Sequence, residues 1–539
     1  MKTYYINGVI HTMNGKEIVE AMVVENDKII ALGNNEEILK NTNENDSIID
    51  LENNTVIPGF NDSHLHGLLT AQKMSQIDVT QTKSIDDLIK KSKEQLPKDI
   101  KDGEWIIGRG WLHDNFKENR FPTKDDLDKI TTEYPLVLIR ACIHICVVNS
   151  KALELINLDK NNLPIIEDGE IYTDENGELT GLFSESALLY VYNNFPKKSR
   201  EEIKEMILKL QKHLNSYGIT SIQSDDFTAL NNTDYHEVIE AYKELAKEDK
   251  LTLKVYQQCL LNTPQKFIDF LDEGYKTKQD FGFYRIGPLK LLLDGSLGAR
   301  TAVIEGGYAD DSEANGISIY SDDTLYEYGK IAAQNNIQLA VHGIGDGATN
   351  QIIRLCKKIN QNFGYGDYRH GIVHCQISTK PILDEIVKEK IVVYAQPIFL
   401  DYDIHIVENR VGKEKARTSY AFKTLLDDGA SVSLGTDSPV DAISPFKNMY
   451  CAITRKDLSL TMDKGWFEQE CLSIEEAVKA YTYESAYQSF EEDIKGTLEK
   501  GKVADFIVLD QNIFEVTPEK MLETQVLKTI VNGKLVYSK

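Results

Sequence analysis

The sequence predicts an α/β fold: a (β/α)8 TIM-type barrel with a small β-sandwich domain built from both termini and an inserted subdomain after barrel strand 1. Three observations predict it. Apolar strands alternate with amphipathic helices through the middle of the chain, which is the pattern of a parallel sheet. Eight such strands can be counted, and both chain ends carry a different, turn-rich β pattern. The length of 539 residues accommodates all three parts.

The two ends of the chain have the composition of short strands. Residues 1–57 hold three apolar stretches punctuated by Asn-Gly and Gly-Asn dipeptides, and residues 494–539 hold further stretches of the same kind. The N-terminal piece is too short to close a sheet alone. We therefore predict that 1–57 and 494–539 form one split β-sandwich domain.

Residues 58–493 are predicted to form the barrel. Helical segments separate most of its strands, and several of them end at a glycine, as helix C-caps often do. Eight β-then-α units are the number in a TIM-type barrel. The expected strands, in chain order, are residues 54–60, 218–224, 251–257, 288–295, 338–343, 371–375, 392–397 and 431–437.

The interval from about 70 to 200 does not fit this count. It is too long for one crossover connection, and it contains strands and turns of its own. We predict an inserted, lid-like subdomain there, because long insertions in compact domains are usually functional.

Charge and composition exclude several classes of protein. The formal net charge is −25, and no basic patch offsets it, which excludes a nucleic-acid partner. The apolar run 135–148 is interrupted by Arg140 and His144, and it falls short of the roughly 20 residues of a membrane-spanning helix. The seven cysteines are scattered without paired spacing, and the N-terminus has no signal-peptide pattern. The sequence therefore predicts a cytoplasmic protein with no membrane partner.

A His-x-His pair follows the first expected strand. In FNDSHLHG, residues 60–67, His64 and His66 lie two apart, so on an extended backbone both imidazoles project to one side and can share a metal ion. Such a pair alone often arises by chance. Its position is informative, because barrel enzymes keep their sites at the C-terminal ends of the strands.

Four further residues of ligand type lie at the ends or inward positions of other expected strands: Lys290, His342, His374 and Asp437. Each one alone is equally well explained as a core histidine or a capping aspartate. As a set, at the tops of strands one, four, five, six and eight, they predict a metal site.

Nine motifs are spread along the chain: PGFNDSHLHG, LKLLLDGSLGART, VHGIGD, VHCQ, LGTDSPV, GTLEKGKVADFIVLD and, in the insertion, GRGWLH, HICVVNS and GLFSESA. Together they resemble the amidohydrolase superfamily, in particular its branch that contains N-substituted formamide deformylases. The resemblance covers essentially the whole chain, including the insertion.

The resemblance implies a centre of two divalent metal ions. His64 and His66 would hold the first ion, and His342 and His374 the second. Zinc is the expected metal, with iron or manganese as alternatives, because His, Asp and carbamate ligands accept all three.

Lys290 needs a separate argument, because an ammonium group has no lone pair and cannot bind a cation. In several members of the superfamily the strand-four lysine is carboxylated by carbon dioxide and becomes an anionic bridge between the metals. The alternative is an unmodified lysine paired with Asp294, which shares its face by the strand period.

The resemblance makes Asp437 the catalytic residue, which binds the first metal and accepts the proton of the attacking water. The predicted reaction is hydrolysis of a linear C–N amide bond in a small molecule, either an N-substituted formamide or a small N-acyl amine. Two alternatives stay open. One is a single-metal hydrolase or deaminase with Lys290 unmodified, and the other is a barrel that has lost catalysis and serves as a binding scaffold. The oligomeric state is open as well, although a homodimer is the commonest assembly.

Substrate contacts are expected at Trp111, His113 and His144, which resemble pocket positions of the branch, and at Asp294, which lies on the face of Lys290 and could also fix a ligand. His113 and His144 are equally well explained as buried, hydrogen-bonded structural residues. Cys375 follows His374 directly, so on a strand it points away from the barrel interior and is not expected to be a nucleophile.

Overall fold

The computed structural model describes residues 2–101, 103–142 and 144–539. In chain order the strands are β1 (Lys2–Ile6), β2 (Val9–His11), β3 (Ile18–Val19), β4 (Ala21–Glu25), β5 (Lys28–Gly33), β6 (Ser47–Asp50), β7 (Thr55–Pro58), β8 (Phe60–Leu65), β9 (Ile77–Asp78), β10 (Ile106–Trp111), β11 (Leu136–Arg140), β12 (Ile145–Val148), β13 (Gly169–Thr173), β14 (Leu179–Glu185), β15 (Ile219–Asp225), β16 (Lys254–Leu260), β17 (Tyr284–Leu292), β18 (Leu339–Gly343), β19 (Gly371–His374), β20 (Val392–Ala395), β21 (Val432–Leu434), β22 (Phe506–Leu509), β23 (Val526–Val531) and β24 (Lys534–Ser538).

The α-helices are α1 (Asn35–Leu39), α2 (Gly67–Met74), α3 (Ile85–Glu94), α4 (Lys124–Asp128), α5 (Ser150–Ile156), α6 (Leu188–Tyr192), α7 (Arg200–Ser216), α8 (Tyr235–Lys247), α9 (Pro264–Asp272), α10 (Asp322–Gln334), α11 (Asp346–Phe363), α12 (Lys380–Lys388), α13 (Leu400–Asp403), α14 (Val407–Ala416), α15 (Phe422–Asp427), α16 (Pro445–Thr454), α17 (Ile474–Lys479), α18 (Ser485–Gln488) and α19 (Pro518–Met521). Among the described residues, none of the helices has the length and apolar character needed to cross a membrane.

Eight strands form one sheet in the order β21-β20-β19-β18-β17-β16-β15-β8, and each hydrogen-bonded pair in it is parallel. The two end strands of this order, β21 and β8, also contact each other, so the sheet is nearly closed. Strands β8, β15 and β19 to β21 are buried along their whole length, as expected when both faces of a parallel sheet are covered. The prediction of an α/β fold around eight parallel strands is confirmed.

The range expected for barrel strand one is wrong, because it covers the strand that precedes the barrel strand. Residues 54–60 were predicted as barrel strand one, whereas β7 (Thr55–Pro58) pairs with β22 and β2 in another sheet, and β8 is the barrel strand. The chain passes between the two sheets at Gly59, where a Cβ atom would lie 2.3 Å from Thr220 Cγ2. The apolar residues of β7 and Phe60, with one glycine between them, look like a single strand. The polar residues that follow in β8 look like a loop.

Two further sheets are made by the chain ends. One has the order β5-β4-β1-β6, and the other has the order β24-β23-β22-β7-β2-β3, in which three C-terminal strands join three N-terminal strands through the antiparallel β22–β7 pair. Their side chains share one core, which includes Tyr5, Met22, Phe506 and Ile530. Their separation as a β-sandwich domain stays a prediction.

The chain divides into two compact units, and the second consists of residues 71–203 and 228–237. This unit has its own sheet, in the order β13-β14-β12-β11-β10-β9. The apolar run 135–148 supplies β11 and β12 of that sheet, while residue 143 lies outside the described part of the chain. A lid-like role for this region stays a prediction.

Candidate metal centre

Four histidines come together at the C-terminal ends of barrel strands. His64 lies on β8 and His66 follows it, while His342 and His374 lie on β18 and β19. The ring centroids of His64 and His66 are 5.3 Å apart, those of His64 and His374 are 5.6 Å apart, and those of His342 and His374 are 4.5 Å apart. These distances put the four imidazoles in one cluster.

Asp437 completes a three-residue ligand group with two of them. Its Oδ1 atom lies 3.4 Å from His64 Nε2 and 3.2 Å from His66 Nε2, and the three ligand atoms are all within 4.8 Å of one another. Although these contacts are close, Oδ1 is buried and makes no hydrogen bond of normal geometry within the described structure. A buried carboxylate oxygen without a hydrogen bond, facing two imidazole nitrogens, is the donor set that a divalent cation satisfies. The residues therefore fit a metal ion.

Lys290 lies on β17 and is 1% exposed. Its Nζ atom is 3.1 Å from His64 Nε2 and 3.9 Å from Asp225 Oδ2. Burial lowers the pKa of Lys290, and the negative charges of Asp225 and Asp437 oppose that effect. The structure thus pairs the unmodified lysine with Asp225, and the expected pairing with Asp294 is wrong because β17 ends at Leu292 and the strand period does not extend beyond it.

Asp294 instead holds the loop that follows β18. Its carboxylate accepts hydrogen bonds from the backbone N–H groups of Ile344, Gly345 and Val303 at 3.0, 2.8 and 3.0 Å. Its Oδ1 atom also lies 3.3 Å from His342 Nε2. Asp294 therefore contacts His342, and both of its expected roles, in fixing a ligand and in contacting substrate, stay predictions.

Two glutamine side chains orient two of the imidazoles. Gln258 Oε1 lies 2.7 Å from His64 Nδ1, and Gln258 donates its Nε2 to the Ser63 carbonyl, so its Oε1 accepts from the ring. Gln396 Oε1 lies 2.8 Å from His374 Nδ1. A proton on Nδ1 leaves Nε2 with a free lone pair, which is the usual way that a supporting residue prepares a histidine for a cation.

Asp225 supports His66, and sequence reasoning missed this residue as well as Gln258. The backbone carbonyl of Asp225 is 3.2 Å from His66 Nδ1, and its side-chain Oδ1 is buried without a hydrogen-bond partner in the described residues. Both missed residues lie at the C-terminal ends of barrel strands, β15 and β16, and that position was the available signal.

The pKa values of the two histidines in the His-x-His pair are shifted in opposite directions. Burial lowers the pKa of His64 and of His374 well below the usual range. Burial also acts to lower the pKa of His66, but the close, negatively charged carboxylate of Asp437 outweighs it and raises that pKa to about 9. Burial would raise the pKa of Asp437, yet His66 and the other histidines hold it well below its usual value. The site therefore keeps an ionised carboxylate that attracts positive charge.

The backbone at the site is unusual at three adjacent or facing residues. His374, Cys375 and Asp437 have φ angles of 82°, 51° and 55°, in the left-handed region that residues other than glycine rarely adopt. Cys375 is buried, and burial raises the pKa of its thiol to about 12. A protonated, inaccessible thiol is a poor nucleophile, in agreement with the expectation for Cys375.

The other expected substrate contacts belong to the second unit. Trp111 lies fully buried in its core and donates Nε1–H to the Leu138 carbonyl at 2.9 Å. The His113 ring lies 4.1 Å from the ring of Phe121. His144 is exposed, so the buried structural alternative is wrong for it; its Nδ1 lies 2.8 Å from Glu185 Oε2. Substrate contact by these three residues stays a prediction.

The fold and the ligand cluster together define a barrel hydrolase. Residues 47–537 match the amidohydrolase family, and the chain therefore belongs to this family of hydrolases.

Relatives and solved structures agree with this assignment. The chain is similar to the YtcJ protein of Bacillus subtilis (strain 168), with 30% identity over 100% of both chains. It is 25% identical to the N-substituted formamide deformylase of Arthrobacter pascens, over 99% of this chain and 98% of that protein. The crystal structure of an uncharacterized metal-dependent hydrolase from Pyrococcus furiosus has a TM-score of 0.80 and 28% identity, and the match covers 96% of this chain and 100% of that one.

Proposed function

We propose that this protein is a metal-dependent amidohydrolase that hydrolyses a linear C–N amide bond in a small molecule. The observation that carries the proposal is the buried Asp437 Oδ1 atom, which faces His64 and His66 without a normal hydrogen bond. The metal-dependent hydrolase from Pyrococcus furiosus supports metal use. The similarity to the Arthrobacter pascens N-substituted formamide deformylase supports N-substituted formamides or small N-acyl amines as substrates.

In this proposal His64, His66 and Asp437 would hold a first ion, and His342 and His374 would hold a second. Zinc is the proposed metal, with iron and manganese as alternatives. Lys290, carboxylated on Nζ, would be the bridge between them. Bound divalent cations would supply Lewis acidity to the scissile carbonyl and to the attacking water.

In this proposal Asp437 transfers the proton of the attacking water, and two glutamines hold the histidines in place. Asp437 stays ionised because neighbouring histidines hold its pKa low. It accepts the proton of the attacking water and passes it to the nitrogen of the leaving amine, which is general base and then general acid catalysis. Gln258 and Gln396 keep His64 and His374 in one orientation throughout.

The proposal extends to the remaining parts of the chain. The terminal sheets form the split β-sandwich domain, and the region from about 70 to 200 acts as a lid whose Trp111, His113 and His144 contact the substrate. Seven free cysteines support a reducing, cytoplasmic location. A homodimer is the proposed assembly, on the general frequency of that state.

The test combines metal analysis with a substrate panel. Purified protein is expected to contain divalent metal and to hydrolyse formamides and N-acyl amines faster than esters and lactones. The double variant His64→Ala plus His66→Ala should lose both metal and turnover. Carefully prepared protein without zinc, iron or manganese, or undiminished turnover in the double variant, would contradict the proposal.

A single-metal hydrolase or deaminase is the second candidate. It is favoured by the ligand geometry, since His64, His66 and Asp437 are the one group of three or more His, Cys, Asp or Glu residues in the described residues whose ligand atoms all lie within 4.8 Å of one another. Metal content per chain decides between the candidates: two ions favour the bridged centre, and one favours this alternative. Carbon-13 NMR in labelled bicarbonate at neutral pH should show a carbamate signal that Lys290→Ala removes if the bridge exists.

A further inference from the structure

The barrel sheet has a seam between its two end strands, β8 and β21, and the metal-ligand group lies directly above it. Two backbone hydrogen bonds cross the seam beyond the end of β21. The Asp437 N–H donates to the His64 carbonyl, and the His66 N–H donates to the Ser438 carbonyl, both at 2.8 Å. All three residues of the ligand group therefore take part in closing the barrel.

At Thr436, the residue before Asp437, the backbone N–H donates to a side chain across the seam and not to a backbone carbonyl. The Thr436 N–H points at the carboxylate of Asp62, with its nitrogen 3.1 Å from Oδ1 and 3.2 Å from Oδ2. Thr436 Oγ1 donates to Oδ2 at 2.7 Å, and the His64 N–H reaches Oδ1 at 3.3 Å. Asp62 is fully buried, so these donors are the contacts that compensate its charge.

Gly435 permits this close approach. A Cβ atom at residue 435 would lie 2.5 Å from the His64 nitrogen and 2.9 Å from Asp62 Oδ1. Both distances are shorter than a side chain tolerates, so the two strands meet here because residue 435 is glycine. Gly435 therefore allows β8 and the segment after β21 to come into contact at the seam.

We propose that Asp62 is a positioning residue for the metal centre: its carboxylate closes the seam and fixes His64 and His66 relative to Asp437. This inference rests on the proposed function, since it concerns the ion that these ligands would hold. Asp62 acts through Thr436 and the His64 backbone, which lie next to two of the three ligands.

The chemistry of the side chain explains why a carboxylate is needed. Every polar atom that approaches Asp62 in the seam is a donor, and a carboxylate offers only acceptors. Asparagine has the same shape, but it would turn an NH₂ group toward one of these donors. Thr436→Val is a milder change, because it removes one donor and leaves both backbone contacts.

The experiment uses Co²⁺ as the probe on full-length protein stripped of metal. The Co²⁺ dissociation constant and the visible Co²⁺ spectrum are measured for the wild type, Asp62→Asn and Thr436→Val. Loss of a supporting residue around metal ligands costs about 10–100-fold in metal affinity, and we expect that range for Asp62→Asn and a smaller loss for Thr436→Val. The spectrum of the bound ion should also shift, which a loss of stability alone would not cause.

Asp505→Asn is the matched control. Asp505 is another buried carboxylate that accepts a backbone N–H, that of Asn532 at 2.8 Å, and it lies next to β22 of the terminal sheet, where it also pairs with Lys254 at the start of β16. This variant is expected to unfold at a lower temperature but to bind Co²⁺ as the wild type does. An equal loss of affinity in Asp505→Asn would overturn the proposal by showing a general effect of stability.

The remaining outcomes separate this inference from the proposed function. If Asp62→Asn and Thr436→Val bind Co²⁺ with the wild-type constant and spectrum, Asp62 is not a positioning residue. If Asp62→Asn fails to fold, Thr436→Val alone decides. If the wild type binds no Co²⁺, or binds it equally well after His64→Ala plus His66→Ala, the proposed function itself is wrong, and this inference with it.

Discussion

Asp437 is the residue on which most of the site's properties depend. It is buried, it stays ionised because of the surrounding histidines, and its Oδ1 atom lacks a normal hydrogen bond in the described structure. A buried charge of this kind is costly unless a counter-charge is present. In the proposed function Asp437 binds a cation and accepts a proton, and these two roles can be separated by measurement.

Asp437→Asn is expected to lower kcat by at least about 100-fold, because an amide cannot accept the proton of the attacking water. Metal content should fall less than in His64→Ala plus His66→Ala, since the asparagine oxygen can still bind a cation. Steady-state kinetics and metal analysis of the same preparations give both numbers, with Asp505→Asn as the control. Wild-type kcat in Asp437→Asn would exclude Asp437 as the base.

Cys375→Ala is expected to keep kcat within about threefold of the wild type, because the thiol is buried, protonated and outside the proposed chemistry. Iodoacetamide should accordingly fail to inactivate the native enzyme at neutral pH. Loss of turnover in the alanine variant, with metal content and thermal midpoint preserved, would assign Cys375 a direct part in catalysis.

At the scale of single residues, position in the sequence was enough to predict the site histidines, but not the residues that contact them. His64, His66, His342 and His374 stand out because each follows or ends an expected strand. Asp62, Asp225 and Gln258 act across strands, and the spacing within one strand contains no information about its neighbour in the barrel. The same limit produced the mistaken Lys290–Asp294 pair, since the strand period was applied beyond the end of β17.

At the scale of elements, strand identity was easier to predict than strand boundaries. The apolar strands at the middle of the chain appear where their composition places them, whereas β16 and β17 are shifted by a few residues from the expected ranges. The exception is the β7–β8 step, where two buried strands belong to different sheets. The chain changes from one sheet to the other at Gly59. A glycine is needed there because Thr220, which is distant in sequence, lies too close for a Cβ atom.

Gly59→Ala is expected to destabilise the protein by about 2–3 kcal/mol, because the new Cβ would overlap the side chain of Thr220. Removing the obstructing atoms with Thr220→Gly should recover part of the loss, so the two changes should not be additive. Thermal or denaturant midpoints of both single variants and the double variant measure the coupling. Additive losses would show that Gly59 is needed for another reason.

His370 joins the starts of two barrel strands. Its Nδ1 atom accepts the Leu339 N–H at 3.1 Å, and burial lowers its pKa to about 4. An unfolded histidine has a pKa near 6.5, so its contribution to stability is complete above that pH and is lost as the pH falls from about 6.5 toward 4. The loss should reach about 2 kcal/mol at pH 5.

His370→Asn is the matched variant, since its amide oxygen can take the place of Nδ1 without titrating in this range. The wild-type thermal midpoint should therefore fall more steeply than that of His370→Asn between pH 7 and pH 5. Parallel curves for the two proteins would mean that His370 is not neutral in the native state, or that its pKa is unshifted.

At the scale of the whole molecule, the net charge of −25 belongs mainly to exposed side chains, whereas the metal-ligand group is buried. The ion pairs on the helices are mostly exposed, and exposed pairs contribute little to stability. A strongly anionic substrate would meet an acidic surface, which favours a neutral amide. The metal centre is therefore expected to be the main charge-dependent contribution to stability.

Metal removal tests that expectation on the intact protein. Because the proposed ligands lie on β8, β17, β18 and β19 and in the segments after β8 and β21, a bound ion would link several strands of the barrel. A ligand present at 100 times its dissociation constant stabilises the native state by about 2.7 kcal/mol. Chelation should lower the thermal midpoint, and added Zn²⁺ should restore it in a concentration-dependent way. His64→Ala plus His66→Ala should respond weakly to both treatments. An equal response in that variant would place the stabilising ion elsewhere in the chain, and no response in the wild type would argue against a metal in the native fold.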